Sequence, residues 1–271
     1  MLNKKNIEIK AKELWGRDLH HNQSAPPHCY QLINIFNEKW KKFFSGNLLE
    51  IGCGSGADLN VFLKNKKINK ITAIDLGNNV TKLSKKYIKN KNIRIENGNA
   101  LSLNYKNNQF NVIYSFGVFH HTSDPFKCIK EARRVLKKNG YIFLYLYADH
   151  EDILIKRLGI FFEKILMSFF KIIPYRSQTL ICQILSPICW TFFSLPSIIL
   201  KFFGFNKFSK KFPFYFANHP FSLTHDLKDR LMSPINHRFS KSEIEKILTK
   251  LKFAEFQVIK NAAGIYICSK K

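Results

Sequence analysis

The chain is short of acid. Its 271 residues hold 19 Asp and Glu against 44 Lys and Arg, a formal charge of +25 at pH 7. Glycine (12) and proline (9) are too sparse for a collagenous or low-complexity chain. Apolar residues at 45% and charged residues at 23% are globular proportions, which exclude an intrinsically disordered protein. The six cysteines (Cys29, Cys53, Cys128, Cys182, Cys189, Cys268) contain no C-x-x-C pair and no companion His spacing. Neither a metal site nor a disulfide framework is expected, and a reducing cytoplasm suits the chain. The first residues, MLNKKNIEIKAKELWGRD, show no signal-peptide h-region. Arginine is scarce as well, 8 against 36 lysines.

A charge this basic invites a polyanion, either nucleic acid or an anionic membrane surface. Its distribution weakens both readings, and the abundance of Lys, Asn, Ile and Phe fits AT-rich codons drifted onto the surface. Residues 1–150 carry 25 basic and 11 acidic side chains, and residues 151–271 carry 19 and 8, so no dense arm exists. Lysine also reads phosphates and bases less specifically than arginine does.

Between Leu48 and Tyr147 short apolar runs alternate with amphipathic ones. LLEI, ITAID, IRIEN, FNVIYSF and GYIFLYLY read as strands. Helices are expected from about Ala57, over Asn79–Lys89 and over Pro125–Lys138. Asp124-Pro125 is a good helix start, and Gly140 reads as the stop signal past that helix. Continuous apolar strands separated by helices predict a mostly parallel sheet covered on both faces.

Ligands of such sheets bind at the carboxyl ends of the strands. That places interest on Gly52–Gly56, Asp75, Asn99 and Ser115–His121. Gly52, Gly54 and Gly56 allow a sharp turn and a close backbone approach, and the amides of the next helix would face the ligand. Asp75, 23 residues after Gly52, can accept both hydroxyls of a ribose. With Ala57 the same glycines also satisfy the dinucleotide fingerprint G-x-G-x-x-G/A, so spacing alone leaves a nicotinamide cofactor open.

Glu50-Ile51-Gly52-Cys53-Gly54-Ser55-Gly56 resembles motif I of class I S-adenosylmethionine-dependent methyltransferases. Ile71–Asp75 resembles their motif II, and Gly98-Asn99-Ala100 the segment that meets adenine. FNVIYSFGVFHHTSDP (residues 110–125) is similar to motif IV of the methyltransferase type 11 group, and EARRVLKKNGYIFLYLY to that group's next helix and fifth strand. The likeness covers about residues 45–147 and returns at 236–269. It implies a Rossmann-like, doubly wound, mostly parallel seven-stranded sheet with an antiparallel last strand. It also implies S-adenosylmethionine as cofactor, met by Glu50, Gly52, Cys53, Gly54, Gly56, Asp75, Leu76, Asn99, Ala100, Ser115 and Phe116. Asp75 would hold the ribose, Asn99 (where the family more often has Asp) the adenine, and Ser115 and Phe116 the methionine side. A carboxylate at position 50 suits a cationic cofactor, acting directly or by holding the loop. Dinucleotide enzymes usually place an apolar residue there.

Methyl transfer asks mainly for positioning and desolvation, with a base only if the acceptor starts protonated. His120 and His121, where the fourth strand meets its loop, are the candidate bases. Either can equally be a packed loop residue.

The pattern changes after Tyr147. Residues 150–235 are expected to form a helical hydrophobic insertion between a core of 46–149 and a C-terminal piece of 236–271, with 1–45 as a helical N-terminal segment. Ser177–Leu200 carries no charge over 24 residues and passes the length test for a membrane span, but Pro187 and Pro196 interrupt it. A single span would strand the last β-strands across the membrane. The insertion therefore reads either as a cap or lid alone or as a cap that also makes peripheral membrane contact through 150–211, helped by Lys164, Lys171, Arg176, Lys201, Lys207, Lys210 and Lys211. The localisation expected is cytoplasmic, with or without membrane association. Ser240-Lys241-Ser242-Glu243 is a capping box, and AEFQVIK with GIYICSK a closing hairpin. By resemblance His225, Asp226, His237 and Arg238 are candidate substrate contacts, and Trp15, His20, His21 and Tyr30 belong to a segment that would close over the cofactor.

The sequence thus reads as an enzyme that methylates a small-molecule, glycan or lipid-linked acceptor through an unresolved O-, N- or C-nucleophile. Nucleic-acid methylation is the alternative. The (N/D/S)-P-P-(Y/F/W) tetrapeptide of exocyclic-amine enzymes is replaced here by Phe116-Gly117-Val118-Phe119, and no Pro-Cys pair occurs. A non-catalytic cofactor-binding protein and a nicotinamide oxidoreductase complete the alternatives.

Overall fold

In the computed structural model residues 27–271 are described, together with Asn6, Ile9 and Leu14; Trp15, His20 and His21 lie outside the described residues. Within residues 27–271, two short helices, α1 (Cys29–Ile35) and α2 (Asn37–Phe43), precede β1 (Gly46–Ile51), α3 (Leu59–Lys64), β2 (Ile68–Asp75), α4 (Asn79–Tyr87), β3 (Ile93–Asn97) and β4 (Phe110–Phe116). A 3-10 turn (Phe119–His121) and α5 (Pro125–Val135) lead into β5 (Leu136–Leu146). The strands form one seven-stranded sheet of order β3-β2-β1-β4-β5-β7-β6, completed by β6 (Glu255–Lys260) and β7 (Ile265–Lys270). β1 to β5 run parallel, and β7 is antiparallel to both β5 and β6. The strand order reverses between β1 and β4, so their carboxyl ends diverge into a crevice.

Alternate residues of each strand feed two cores, as a sheet covered on both faces requires. On one face Leu49, Ile51, Ile113, Ile142 and Leu144 pack with α5 and α11 (Lys241–Lys250). On the other Leu48, Val112, Tyr114 and Phe143 meet α1 and α2, where Trp40 stacks on Phe44 at 3.6 Å. The capping box opens α11 as expected: Glu243 N donates to Ser240 Oγ at 3.1 Å and Ser240 N to Glu243 Oε2 at 2.7 Å. Asp124 Oδ1 likewise accepts from Lys127 N at 2.9 Å.

Gly140 is not the stop signal of α5. The helix ends at Val135 and β5 begins at once with buried Leu136. Gly140 lies within β5, where a Cβ would meet the Asn111 carbonyl oxygen at 2.8 Å, so bare backbone is needed for close strand approach.

The chain divides into two compact units, Met1–Ala148 with His237–Lys271, and Asp149–Asn236. The second contains no strand among its described residues. It comprises α6 (Leu154–Phe170), α7 (Tyr175–Cys189), a π turn (Trp190–Ser194), α8 (Leu195–Phe202), α9 (Asn206–Ser209) and α10 (Thr224–Leu231). Pro187 does not interrupt the run as expected. Helical structure continues over Tyr175–Phe202, with Pro187 inside α7 and Pro196 in the first turn of α8. The π turn lets the chain pass: the Pro187 carbonyl accepts from Trp190 N and, at 2.9 Å, from Thr191 Oγ1.

Candidate active site

β1 delivers a carboxylate and a turn to the crevice. Glu50 is 2% exposed, and its Oε2 has no hydrogen-bond partner among the described residues. Burial first, then the charges of Asp58 and Asp75, hold its pKa well above the ordinary 4.5. Gly52 follows with φ +80°, and a Cβ there would stand 2.1 Å from Val118 Cγ2. Gly54, at φ +49°, has nothing within 4 Å of the place its Cβ would take. One glycine thus packs against the loop after β4 and the other borders open space. Cys53 between them is buried, which with Asp75 and Glu50 pushes its thiol up and keeps it neutral.

Asp75 closes the loop from the next strand. Its Oδ2 accepts from Gly54 N at 2.8 Å and its Oδ1 from Gly77 N at 2.9 Å. Leu76 follows it, half-buried. Asp58, which the sequence pattern did not single out, is buried and accepts from Cys29 N at 3.0 Å and from Tyr114 Oη at 2.6 Å. Its partners lie 29 and 56 residues distant, beyond the reach of any local pattern. The available signal was an acid two residues after the last glycine of the turn.

Beyond β3, Asn99 Oδ1 accepts from Leu101 N at 2.9 Å, and Ala100 is buried in this turn. Ser115, buried, donates from Oγ to the Ile51 carbonyl at 2.9 Å and so ties the tips of β4 and β1 together. Phe116 stacks between His28 at 5.0 Å and Tyr145 at 4.2 Å, a wall that spacing did not reveal because β5 and the residue before α1 supply its other rings.

His120 and His121 are both buried. The His120 ring lies on Tyr147 at 3.7 Å and 4.2 Å from the His121 ring, and its carbonyl accepts from His237 N at 2.8 Å. Arg238 covers Tyr147 with its guanidinium 5.1 Å from the ring centre. Burial pushes the His237 imidazole below its ordinary 6.5. Of the four candidate substrate contacts, His237 and Arg238 therefore join the histidine pair. His225 and Asp226 belong to the other unit, on α10. Tyr30, on α1, is exposed.

Three carboxylates, Glu50, Asp58 and Asp75, thus converge on one glycine turn in a chain of net charge +25. Residues 49–144 match the family described as Methyltransferase domain, type 11. The chain carries a class I S-adenosylmethionine-dependent methyltransferase domain of that type. The methyltransferase domain is also similar to an uncharacterized methyltransferase of Bacillus subtilis, 28% identical over 108 residues, which are 39% of this chain and 42% of that one. A tRNA U34 carboxymethyltransferase of Campylobacter curvus is 30% identical over 137 residues, 44% and 45% of the two chains. The chain thus spans less than half the length of either relative. Its fold is shared with a chain of the Haloferax volcanii complex between the Trm112 methyltransferase activator and a methyltransferase, at TM-score 0.53, 10% identity, and coverage of 100% and 99%.

The methyltransferase domain fits its cofactor on physical grounds. A buried carboxylate whose Oε2 lacks a partner among the described residues is costly to ionise alone, and a sulfonium with an α-ammonium offsets that charge. The open space at Gly54 leaves room beside it.

Proposed function

We propose that the whole chain transfers a methyl group from S-adenosylmethionine to a small-molecule, glycan or lipid-linked acceptor. The observation that carries this reading is the buried Glu50 carboxylate, whose Oε2 has no hydrogen-bond partner among the described residues and which feels the charges of Asp58 and Asp75. When bound, the cofactor supplies an electrophilic methyl on a sulfonium sulfur. Glu50, Asp58 and Asp75 give the pocket the negative potential that holds a cation, and Asp75 offers the ribose a carboxylate already oriented by two amides. Leu76, Cys53 and the Asn99–Ala100 turn line the adenosine side. Phe116, with His28 and Tyr145, excludes water from the methionine side. His121, or its neighbour His120, takes the acceptor's proton where the acceptor has one to lose, and His237 and Arg238 meet the acceptor.

The test is to incubate cell extract with the purified chain and methyl-labelled cofactor, then separate lipid, glycan, RNA and small metabolites. Label in the lipid, glycan or metabolite fraction supports the reading. A second reading, RNA methylation, is favoured by the +25 charge and by the Campylobacter curvus relative. Label in the RNA fraction, with uptake falling steeply with salt, selects it instead.

A further inference from the structure

The second unit wears its polarity inside out. Successive helical residues turn by about 100°, so Leu158, Phe161, Phe162, Ile165 and Phe169 share one face of α6. They are exposed, Phe162 at 59% and Phe169 at 58%. The opposite face carries Lys156, Glu163, Met167 and Phe170. Lys156 is only 5% exposed and lies 5.4 Å from the Tyr215 ring centre, while Glu163 pairs with Arg230 at 3.3 Å. The helical run Tyr175–Phe202 repeats the inversion. Its buried positions include Ser186, Ser194 and Ser197, whose hydroxyls donate to the carbonyls of Pro220 (2.6 Å), Phe214 (2.9 Å) and Ser209 (2.9 Å). Its exposed positions include Leu180, Ile184, Phe192 and, at 85%, Phe202. Small hydroxyl residues inside with large apolar ones outside is the packing of helices in lipid, where serine hydroxyls bridge helices and leucine faces the chains. In water the same arrangement leaves large apolar side chains on successive turns facing solvent.

Charge selects the occupant of this face. From Lys164 to His225 the chain has seven Lys and Arg (Lys164, Lys171, Arg176, Lys201, Lys207, Lys210, Lys211) and no Asp or Glu. That complements anionic headgroups and repels a second copy of the same face. Connectivity limits depth. Ala148 and Phe239, on either side of the unit, pair in one β-bridge, and β5 and β7 share one sheet. The excursion must begin and end on one side of a bilayer, which excludes a single crossing, and exposed Lys164 in the middle of α6 argues against that helix crossing at all.

We propose that residues 149–236 are a monotopic anchor that sinks the exposed faces of α6, α7 and α8 into one leaflet of an anionic membrane. This anchoring stands independently of methyl transfer. The purified full chain would be mixed with vesicles of phosphatidylcholine alone, or with about 30% phosphatidylglycerol, and floated through a density gradient. Wild type is expected to float with the anionic vesicles at least about tenfold better than with the neutral ones, and to persist there partly in 1 M salt because apolar burial survives screening by roughly a 3 Å Debye length. Leu158→Glu/Phe162→Glu/Phe169→Glu should abolish flotation, and Lys207→Glu/Lys210→Glu/Lys211→Glu should remove the preference for anionic lipid, each with an unchanged thermal midpoint. Wild-type protein that melts cooperatively yet stays at the bottom of every gradient would overturn the anchor, and a concentration-dependent dimer under those conditions would assign the face to a second copy. Flotation of the triple-Glu variant equal to wild type would overturn it as well.

Discussion

Asp75 accepts the Gly54 amide at 2.8 Å, so the residue that ends β2 also sets the conformation of the turn that follows β1. One side chain therefore both shapes the loop and, in the proposed function, meets the ribose. Asp75→Ala is expected to weaken S-adenosylhomocysteine binding by about 2 kcal/mol or more, because a charged partner and a loop tie are lost together. Asp75→Asn, which keeps one acceptor for Gly54, should fall between. Calorimetric titration checks both, and an Ala variant that bound as tightly as wild type would remove Asp75 from the site.

The pH dependence of binding follows from Glu50. Its pKa in the folded chain lies well above 4.5, raised by burial and then by Asp58 and Asp75. The folded state thus holds this proton more tightly than the unfolded one, so the group destabilises the ligand-free fold progressively as pH rises from about the unfolded value towards the folded one. A cationic ligand favours the ionised form. Binding should therefore release a proton, and affinity should climb with pH across that window. Glu50→Gln should stabilise the ligand-free protein at neutral pH, weaken S-adenosylmethionine binding and abolish the proton release. Titrations in two buffers of different ionisation enthalpy measure the release directly.

Local patterns carried most of the sheet and pointed to the glycine turn of the candidate site. The strands around Leu48–Ile51 and Phe110–Phe116 were legible because a sheet buried on both faces leaves unbroken apolar runs. Glu50, the glycines and Asp75 stood out because a turn that needs bare backbone and a carboxylate tie restricts residue type position by position. Asp58 was not, since its value lies in Cys29 and Tyr114, which only tertiary folding brings to it. Gly140 looked like a helix stop because a glycine after a helix usually is one, whereas here the Asn111 carbonyl sets the requirement. Pro187 looked like a break because propensity scores the missing amide and cannot see a π turn that absorbs it.

Gly52 and Val118 offer a steric test of the loop. Gly52→Ala places a methyl on a residue at φ +80° and drives it into Val118 Cγ2. The substitution should destabilise the fold by about 1–3 kcal/mol and distort the cofactor turn. Val118→Ala added to it should recover the steric part and leave the penalty of the left-handed backbone. Thermal midpoints of the two variants separate those contributions, and a double variant no more stable than the single one would contradict the contact.

The two histidines should part company when each is removed. The His120 ring rests on Tyr147 at 3.7 Å, and its carbonyl receives the His237 amide, so this residue fixes the start of the segment that leads to Arg238 and α11. His120→Ala is expected to leave a cavity and to lower the thermal midpoint, with turnover and cofactor binding falling together. His121 ends the 3-10 segment, and its ring meets Tyr147 edge-on at 5.4 Å instead of stacking on it. His121→Ala is expected to leave S-adenosylhomocysteine affinity close to wild type while slowing label transfer by about 10²-fold or more. If both variants transferred label at the wild-type rate, neither imidazole would take the proton, and the acceptor would have to arrive already deprotonated or as a carbon nucleophile that needs no base.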